Sequence, residues 1–342
     1  MAYNFENIRL EKGMYRETGK SFAQVLEELD PSEKYKGTSF EGMDAYQRQL
    51  KRFDIRVKGG NSDKVEKFFQ TTDSSVLFPE YVSRSVKAGM EEGSVLPGIC
   101  ATETKFDGLD YRSVYTANSE DDNSLRRVAE GAEIPETEIR VQDHLVSLHK
   151  RGRMLVASYE AIRFQHLDLF SVMLREIGNQ ITRMHLDDAI DVITNGDGNS
   201  NAADSYAIGT GITGTSGTLT YSALLAFWSK FDPFNMNTLL VAPDVMLKML
   251  SLTEFQNPLT GLNFQGTGEL TNPLGAKLIK TAAVPSGKAI GLDRNYALEM
   301  IKASDVEVEY DRLIDRQLER AAITSISGFA KLYTGASKIL VV

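Results

Sequence analysis

The stretch that decides the fold is Leu167–Thr194, LDLFSVMLREIGNQITRMHLDDAIDVIT, which runs into Asn195-Gly196-Asp197-Gly198. Its apolar residues recur at the i, i+3/i+4, i+7 spacing of a buried helix face. They are Phe170, Met173, Leu174, Ile177, Ile181, Met184, Leu186, Ile190 and Ile193. A helix of this length would span roughly 40 Å, and Asn-Gly-Asp-Gly is a strong stop signal. The pattern predicts a single long helix that forms the spine of a domain.

The segment before this helix predicts two strands around a long polar stretch. Residues 111–141 are polar and acidic, with Glu120-Asp121-Asp122-Asn123 near the tip. Leu145–Ala157 then alternates apolar and polar residues, as a returning strand does. Because such an excursion is unusual inside a compact domain, we expect a hairpin that leaves the body and finds its partners on another chain.

Residues 1–67 differ from the rest of the chain in their sequence pattern. Ser21–Leu29 and Gly42–Phe53 have short helical periodicity, and the Lys58–Ser62 stretch KGGNS is a breaker that separates such pieces. We expect an ordered, retained arm that packs on something else, with a disordered tail as the alternative. The charged N-terminus has no apolar core, so no signal peptide is predicted.

The remaining chain indicates a mixed body with no regular βαβ series and no internal repeat, which favours the α+β class. Extended segments and strands are predicted at Val76–Pro79, Ser94–Ile99, Thr102–Phe106, Thr238–Ala242, Lys277–Ala282, Ala289–Gly291, Val306–Tyr310, Ala322–Ser327 and Ala330–Tyr333. Helices are predicted at Glu80–Glu91, Tyr221–Phe231 and Asp244–Leu252, and Asn199–Thr220 is predicted to be a loop.

Composition narrows the classes of function. The 342 residues have a formal net charge of −9, so the overall field repels nucleic acid. Cys100 is the single cysteine, which excludes an intrachain disulfide and a cysteine zinc cluster and fits a reducing cytoplasm. No window approaches the roughly 18 consecutive apolar residues of a membrane span.

The motifs that carry chemistry elsewhere are weak here, and we predict no catalytic, cofactor-binding or metal residue. Gly209, Gly211 and Gly214 match G-x-G-x-x-G but lie in a polar stretch that no hydrophobic strand enters directly, so a flexible loop is favoured. His185 lies near three carboxylates that we assign, with it, to the solvated face of the long helix; the other histidines are scattered. The carboxylates are Asp187, Asp188 and Asp191, and the scattered histidines are His144, His149 and His166.

Two further features favour structural roles. Cys100 follows Pro97-Gly98-Ile99 in an apolar stretch, so a buried structural cysteine is favoured over a nucleophile. The densest basic run, Lys150-Arg151-Gly152-Arg153, is short and is expected to pair with acidic residues at a subunit contact. Basic residues interleaved with aromatic ones, which would indicate a single-strand groove, are missing.

The order of arm, acidic hairpin, spine helix and mixed region resembles the major capsid proteins of tailed phages, whose Hong Kong 97-type fold is shared with encapsulins. The resemblance covers roughly residues 68–342. The segments that carry it are AEGAEIPE (129–136), LDDAIDVITNGDG (186–198), LLVAPDVMLKML (239–250) and the closing residues 306–340.

The resemblance implies a division of the chain into segments. An N-terminal arm takes residues 1–67, and the first part of a peripheral domain takes 68–105. An extended loop takes 106–150, and the peripheral domain with the spine helix takes 151–198. The axial domain takes 199–301, and residues 302–342 give the return strands of the peripheral domain and a C-terminal end in the axial domain.

The resemblance also implies a function: a structural subunit, not an enzyme, that assembles with itself in pentamers and hexamers into an icosahedral phage head around double-stranded DNA. Portal and scaffold proteins would be partners, and the virion, assembled in the host cytoplasm, would be its location. Some family members cross-link through a lysine on the extended loop, but residues 106–149 contain no lysine, so a shell held by non-covalent contacts is expected. The alternatives are an encapsulin-type compartment with a cargo enzyme, against which the long arm counts, and an unrelated α+β enzyme.

Overall fold

The computed structural model describes residues 4–16, 20–108, 110–116, 127–128, 130, 139–257, 259 and 272–342. The chain divides into two compact units. Unit 1 takes residues 1–94, 151–182 and 305–325, and unit 2 takes residues 95–150, 183–304 and 326–342. The arm, peripheral and axial segments assigned from the resemblance follow other boundaries and stay a prediction.

The helices occur in both units. They are α1 Phe22–Leu29, α2 Ala45–Arg52, α3 Thr72–Ser75, α4 Leu77–Glu92, α5 Tyr159–Phe164, α6 Leu167–Asn195, α7 Tyr221–Trp228, α8 Pro243–Leu250 and α9 Thr253–Gln256. The predicted spine helix is confirmed as α6, and it ends before Gly196 and Gly198, whose positive φ angles of 87° and 98° stop a helix. Short 3₁₀ turns, such as Val65–Phe69 and Leu96–Gly98, connect several elements.

The strands of the described residues form three sheets. They are β1 Cys100–Lys105, β2 Val114–Thr116, β3 Ile139–Val141, β4 His149–Ser158, β5 Asp204–Ala207, β6 Thr238–Val241, β7 Lys277–Lys280, β8 Lys288–Leu292, β9 Leu298–Leu313, β10 Leu318–Lys331 and β11 Ser337–Val341. The sheet orders are β1-β9-β10-β4, β5-β11-β8-β6-β7 and β2-β3. Helices and mixed sheets together confirm the predicted α+β class.

Unit 1 is built around the N-terminal half of α6. Helix α4 crosses α6 at two glycines, Gly89 and Gly178, where a methyl group on either would overlap the backbone of the other helix. Phe68, Phe78 and Tyr81 pack as an aromatic cluster in this core, with the Phe68 and Tyr81 ring centroids 5.5 Å apart. The close crossing therefore depends on the absence of side chains at the two glycines.

The N-terminal segment contributes to the core of unit 1. Phe22 and Leu26 of α1 and Tyr46 and Leu50 of α2 are buried in that core. Both helices begin with a reciprocal capping box, formed by Ser21 with Gln24 and by Asp44 with Gln47. Three residues of the apolar face predicted for residues 21–29, Phe22, Val25 and Leu26, are thus buried within this chain, whereas the fourth, Leu29, is 45% exposed.

Unit 2 is built on the five-stranded mixed sheet. Strand β11 lies between β5, to which it is parallel, and β8, to which it is antiparallel. All four residues of β6 are buried, and Phe227 of α7 and Val245 and Met249 of α8 belong to the same apolar core.

Several sequence-based predictions of elements are wrong. Val76–Pro79 is not a strand: α4 begins at Leu77, and Pro79 lies in its first turn, where a missing N–H is tolerated. Asn199–Thr220 is not wholly a loop, because its residues 204–207 form the edge strand β5. Ser94–Ile99 contains a 3₁₀ turn. Met173 and Met184, assigned to the buried face of α6, are 55% and 47% exposed.

Candidate assembly surfaces

The predicted hairpin is described where it joins unit 2. Strands β2 and β3 pair antiparallel, with Val114 opposite Val141. Both valines are more than half exposed, at 53% and 56%. We name residues 110–116 and 139–146 the loop base. The acidic tip and most of the AEGAEIPE segment lie outside the described residues, so the structure tests neither.

Backbone hydrogen bonds join the two arms of the loop base. The Gln142 amide donates to the Ser113 carbonyl at 2.9 Å, and the Val146 amide donates to the Tyr111 carbonyl at 2.8 Å. Val146 packs in a small apolar cluster with Ile301 and Ala330, and the Phe106 and Tyr111 rings meet edge to face at 5.2 Å. The loop base is therefore fixed to the body of unit 2 before any partner is considered.

A buried carboxylate lies under the loop base. Glu299 of β9 is 6% exposed. Its Oε1 accepts from the Thr104 hydroxyl at 2.5 Å and from the Tyr111 hydroxyl at 2.8 Å, and its Oε2 accepts from the Ser113 hydroxyl at 3.2 Å. Burial, together with the hydrogen bond to Glu299, raises the pKa of Tyr111 to about 12. Hydroxyl donors thus satisfy a charge that would otherwise be costly to bury.

Unit 1 has an exposed apolar row on α6. Leu169, Val172 and Met173 follow the i, i+3, i+4 spacing of one helix face and are between 55% and 58% exposed. Met154 and Val156 of β4 are also more than half exposed. Exposed apolar residues in rows, rather than singly, are typical of surfaces that another protein covers.

A buried ion pair holds the N-terminal segment of unit 1 together. Arg48 Nε lies 2.6 Å from Asp30 Oδ2, and both side chains are at most 1% exposed. The other guanidinium nitrogens donate to the carbonyls of Asp30 and Met43, and the guanidinium carbon lies 4.3 Å from the centroid of the Tyr35 ring. The Tyr35 hydroxyl donates to the second Asp30 oxygen at 2.6 Å. Sequence reasoning missed this network.

The histidine and the carboxylates that the sequence placed together on α6 differ in their exposure to solvent. His185 is 2% exposed, so its assignment to the solvated face of α6 is wrong, while Asp187 and Asp191 are exposed. The part of the chain that the structure describes holds no group of three or more His, Cys, Asp or Glu residues that could bind a metal. His144, His149 and His166 are not buried, and His166 Nδ1 lies 2.9 Å from the Ser62 carbonyl oxygen.

The remaining motifs are the glycine segment Gly209–Gly214 and Cys100. Strand β5 precedes Gly209, but its exposed Asp204 and Ser205 distinguish it from the hydrophobic strand that a dinucleotide-binding motif requires. Cys100 is half-buried, and its burial and the charge of Glu103 raise the pKa of the thiol to about 12. A thiol with so high a pKa is a poor nucleophile at neutral pH.

The basic run lies on β4. Lys150 and Arg153 are exposed, and Arg153 donates to the Gln180 side chain within unit 1. Its predicted pairing with acidic residues of another subunit stays a prediction. Over the described residues, no helix combines the length and the apolar character needed to cross a membrane.

The family model described as phage capsid protein matches residues 142–330, which is more than half of the chain. The chain belongs to the phage capsid protein family. The match begins at Gln142 in the loop base, includes α6 and four strands of the five-stranded sheet (β5 to β8), and ends in β10; β11 lies outside it. No curated protein matches this capsid protein in sequence.

Solved structures share the fold of this capsid protein. The virus-like particle from Pyrococcus furiosus has 13% identity and a TM-score of 0.51, over 77% of this chain and 99% of that one. The capsid of a native GTA particle has 11% identity and a TM-score of 0.54, over 74% and 89%. The capsid of cyanophage P-SCSP1u has 14% identity and a TM-score of 0.52, over 71% and 86%. These likenesses establish the Hong Kong 97-type fold predicted from the sequence.

Proposed function

We propose that this protein is the major capsid subunit of a tailed-phage head and has no catalytic role. Copies of it associate in pentamers and hexamers, which close into an icosahedral shell around double-stranded DNA. The observation that carries the proposal is the family match over residues 142–330. The corresponding location is the virion, after assembly in the host cytoplasm with portal and scaffold proteins as partners.

The loop base supports a role in contacts between subunits. Val114 and Val141 form an exposed cross-strand pair where the hairpin leaves unit 2, so apolar area is available to a second copy. The absence of lysine from residues 106–149 supports non-covalent contacts. Many weak contacts let misplaced subunits leave before a shell closes, and their combined strength then keeps it closed.

The acidic net charge of −9 supports a wall that does not adhere to packaged DNA, since phosphates and wall repel each other. The segments of the chain are proposed to take the places that the resemblance implies for them. These segments are the extended loop of residues 106–150, the peripheral segments 68–105 and 151–198, and the axial segment 199–301.

The proposal is tested by electron microscopy of the purified protein in negative stain. A shell subunit gives uniform hollow particles, whereas an α+β enzyme of this size gives single small particles. Uniform absence of closed particles, under conditions where the subunit is folded and concentrated, would count against the proposal.

A compartment that holds a cargo protein is the second candidate, because the fold also occurs in the virus-like particle from Pyrococcus furiosus. The contents of particles isolated from the native source separate the two. Nuclease-protected DNA supports the phage head, and a stoichiometric second protein without DNA supports the compartment.

A further inference from the structure

Glu299 connects the loop base with the body of unit 2 through donors from both. Thr104 belongs to β1, which pairs with β9 in parallel, whereas Tyr111 and Ser113 belong to the loop base. The two hydroxyl groups of the loop base reach different oxygens of the carboxylate. Movement of the loop base away from β9 would therefore break hydrogen bonds to both oxygens at once.

We propose that Glu299 is a positioning residue for shell assembly, which holds the loop base against β9 in the free subunit and sets the direction in which the hairpin leaves. The inference rests on the proposed function, in which the hairpin contacts other subunits. A hairpin that already points in its bound direction loses less conformational freedom on association, so each contact forms faster and holds longer.

The surroundings of Glu299 support this role. Ser113 is fully buried and Glu299 is nearly so. Water therefore cannot replace the hydrogen bond between them unless the loop base opens. The adjacent backbone bond from the Phe106 amide to the Lys302 carbonyl, at 3.0 Å, fixes the point where the chain departs from β1. The Phe106–Lys302 bond thus holds the start of the loop, and the Glu299 carboxylate holds the loop base further along the chain. Together these two fixed points define the direction in which the hairpin leaves.

The experiment compares two double variants of the full chain. Tyr111→Phe with Ser113→Ala removes the two donors of the loop base and keeps the aromatic ring that packs on Phe106. The matched control removes two hydroxyl donors that bond elsewhere in unit 2: Thr238→Val, whose hydroxyl donates to the Gly98 carbonyl, and Ser286→Ala, whose hydroxyl donates to the Asp244 carboxylate.

Hydrogen–deuterium exchange of the unassembled subunit is the first readout. We expect amide exchange in residues 110–116 and 139–146 to rise about thirtyfold in the loop-base variant, which corresponds to two hydrogen bonds of ordinary strength. The control should leave exchange in this segment unchanged. Equal exchange of the loop base in both variants would overturn the proposal, whether or not the protein forms particles.

Particle yield is the second readout, measured by sedimentation at equal subunit concentration. We expect the loop-base variant to assemble several-fold more slowly than the control. The conservative variant Glu299→Gln should preserve the geometry of the loop base, because the amide oxygen accepts from Thr104 and Tyr111 while the amide nitrogen donates to the Ser113 hydroxyl. Fast loop exchange with assembly at the control's rate would overturn the positioning role but leave the capsid function intact. A wild-type chain that never forms particles would instead contradict the capsid function.

Discussion

At the scale of single residues, Arg48 is the side chain on which the N-terminal segment depends most. Its guanidinium is fully buried and meets Asp30, two backbone carbonyls and the Tyr35 ring. A buried ion pair adds little compared with apolar residues of the same volume, but loss of one partner leaves the other charge uncompensated. Removal of one partner is therefore expected to cost far more stability than the intact pair contributes.

Arg48→Met should lower the free energy of unfolding by about 3–5 kcal/mol, because Asp30 is left as an unpaired buried charge. Urea unfolding of the unassembled chain measures the change. Arg9→Ala is the control: its partner Glu11 is exposed, so the expected change is below about 1 kcal/mol. A loss for Arg48→Met no larger than that of the control would contradict the assignment.

Lys331 is a second buried residue with a measurable consequence. It is 1% exposed, and among the described residues its ammonium has no hydrogen-bond partner. Burial lowers the pKa of Lys331 to about 8, although the charges of Asp197 and Asp204 oppose the shift. The folded protein therefore releases this proton at lower pH than the unfolded chain does.

Stability attributable to Lys331 should rise with pH between about 8 and 10.5, since the unfolded chain binds more protons there. The loss of stability that comes from burying the protonated Lys331 side chain is fully present below pH 8. We expect the difference in unfolding free energy between wild type and Lys331→Met to change by about 2 kcal/mol in favour of wild type from about pH 7.5 to about pH 9.5. Because Cys100 is present in both proteins, its opposite contribution cancels. A difference that stays constant with pH would contradict the lowered pKa.

At the scale of elements, the crossing of α4 and α6 is a contact of unit 1 that leaves no room for a side chain. Gly178→Ala should destabilise the protein by about 1–3 kcal/mol, because the added methyl meets the backbone of α4 at Val86 and the helices must separate. Gly60→Ala is the matched control, since nothing lies within 4 Å of the methyl it would add. Thermal unfolding of both variants measures the effect, and equal melting temperatures would show that the crossing tolerates a side chain.

The elements predicted correctly are those with long or local signals. The long apolar periodicity of α6 predicted its bounds to within one residue, and the short helical periodicity of residues 21–29 and 42–53 predicted α1 and α2. The errors have physical causes. Strand β5 is a short, polar edge strand, so it carries no apolar alternation, and the Val76–Pro79 run has strand-like composition but starts a helix.

At the scale of the whole molecule, the fold followed from the order of segments and the family resemblance, whereas the site did not. Glu299 occurs in the apolar run Leu298–Ile301, and its donor Thr104 is 195 residues away in the chain. Nothing local indicates such a partner. Arg48 and Asp30 are similarly ordinary in sequence, because only burial distinguishes them from charged residues on a surface.

Removal of the hairpin tests the capsid function at this scale. Deletion of residues 113–141 should leave a folded, soluble monomer that cannot form shells, because subunits lose the segment that reaches their neighbours. The ends left by the deletion, Arg112 and Gln142, can be joined, since Gln142 is hydrogen-bonded in the intact chain to Ser113, the neighbour of Arg112. Circular dichroism checks the fold and electron microscopy checks assembly. Normal particles from this variant would contradict the role of the hairpin.

The position of β11 has a consequence for synthesis. Its partners β5 and β8 are made first, and Lys338 pairs with Asp204 across about 130 residues of chain, a separation that slows folding. Until β11 has left the ribosome, β5 and β8 each lack a neighbour, and unpaired strand edges invite association with other nascent chains. Chaperones that shelter β5 and β8 during translation would therefore raise the yield of folded subunits, and unit 2 becomes competent to join a shell only after β11 has been made.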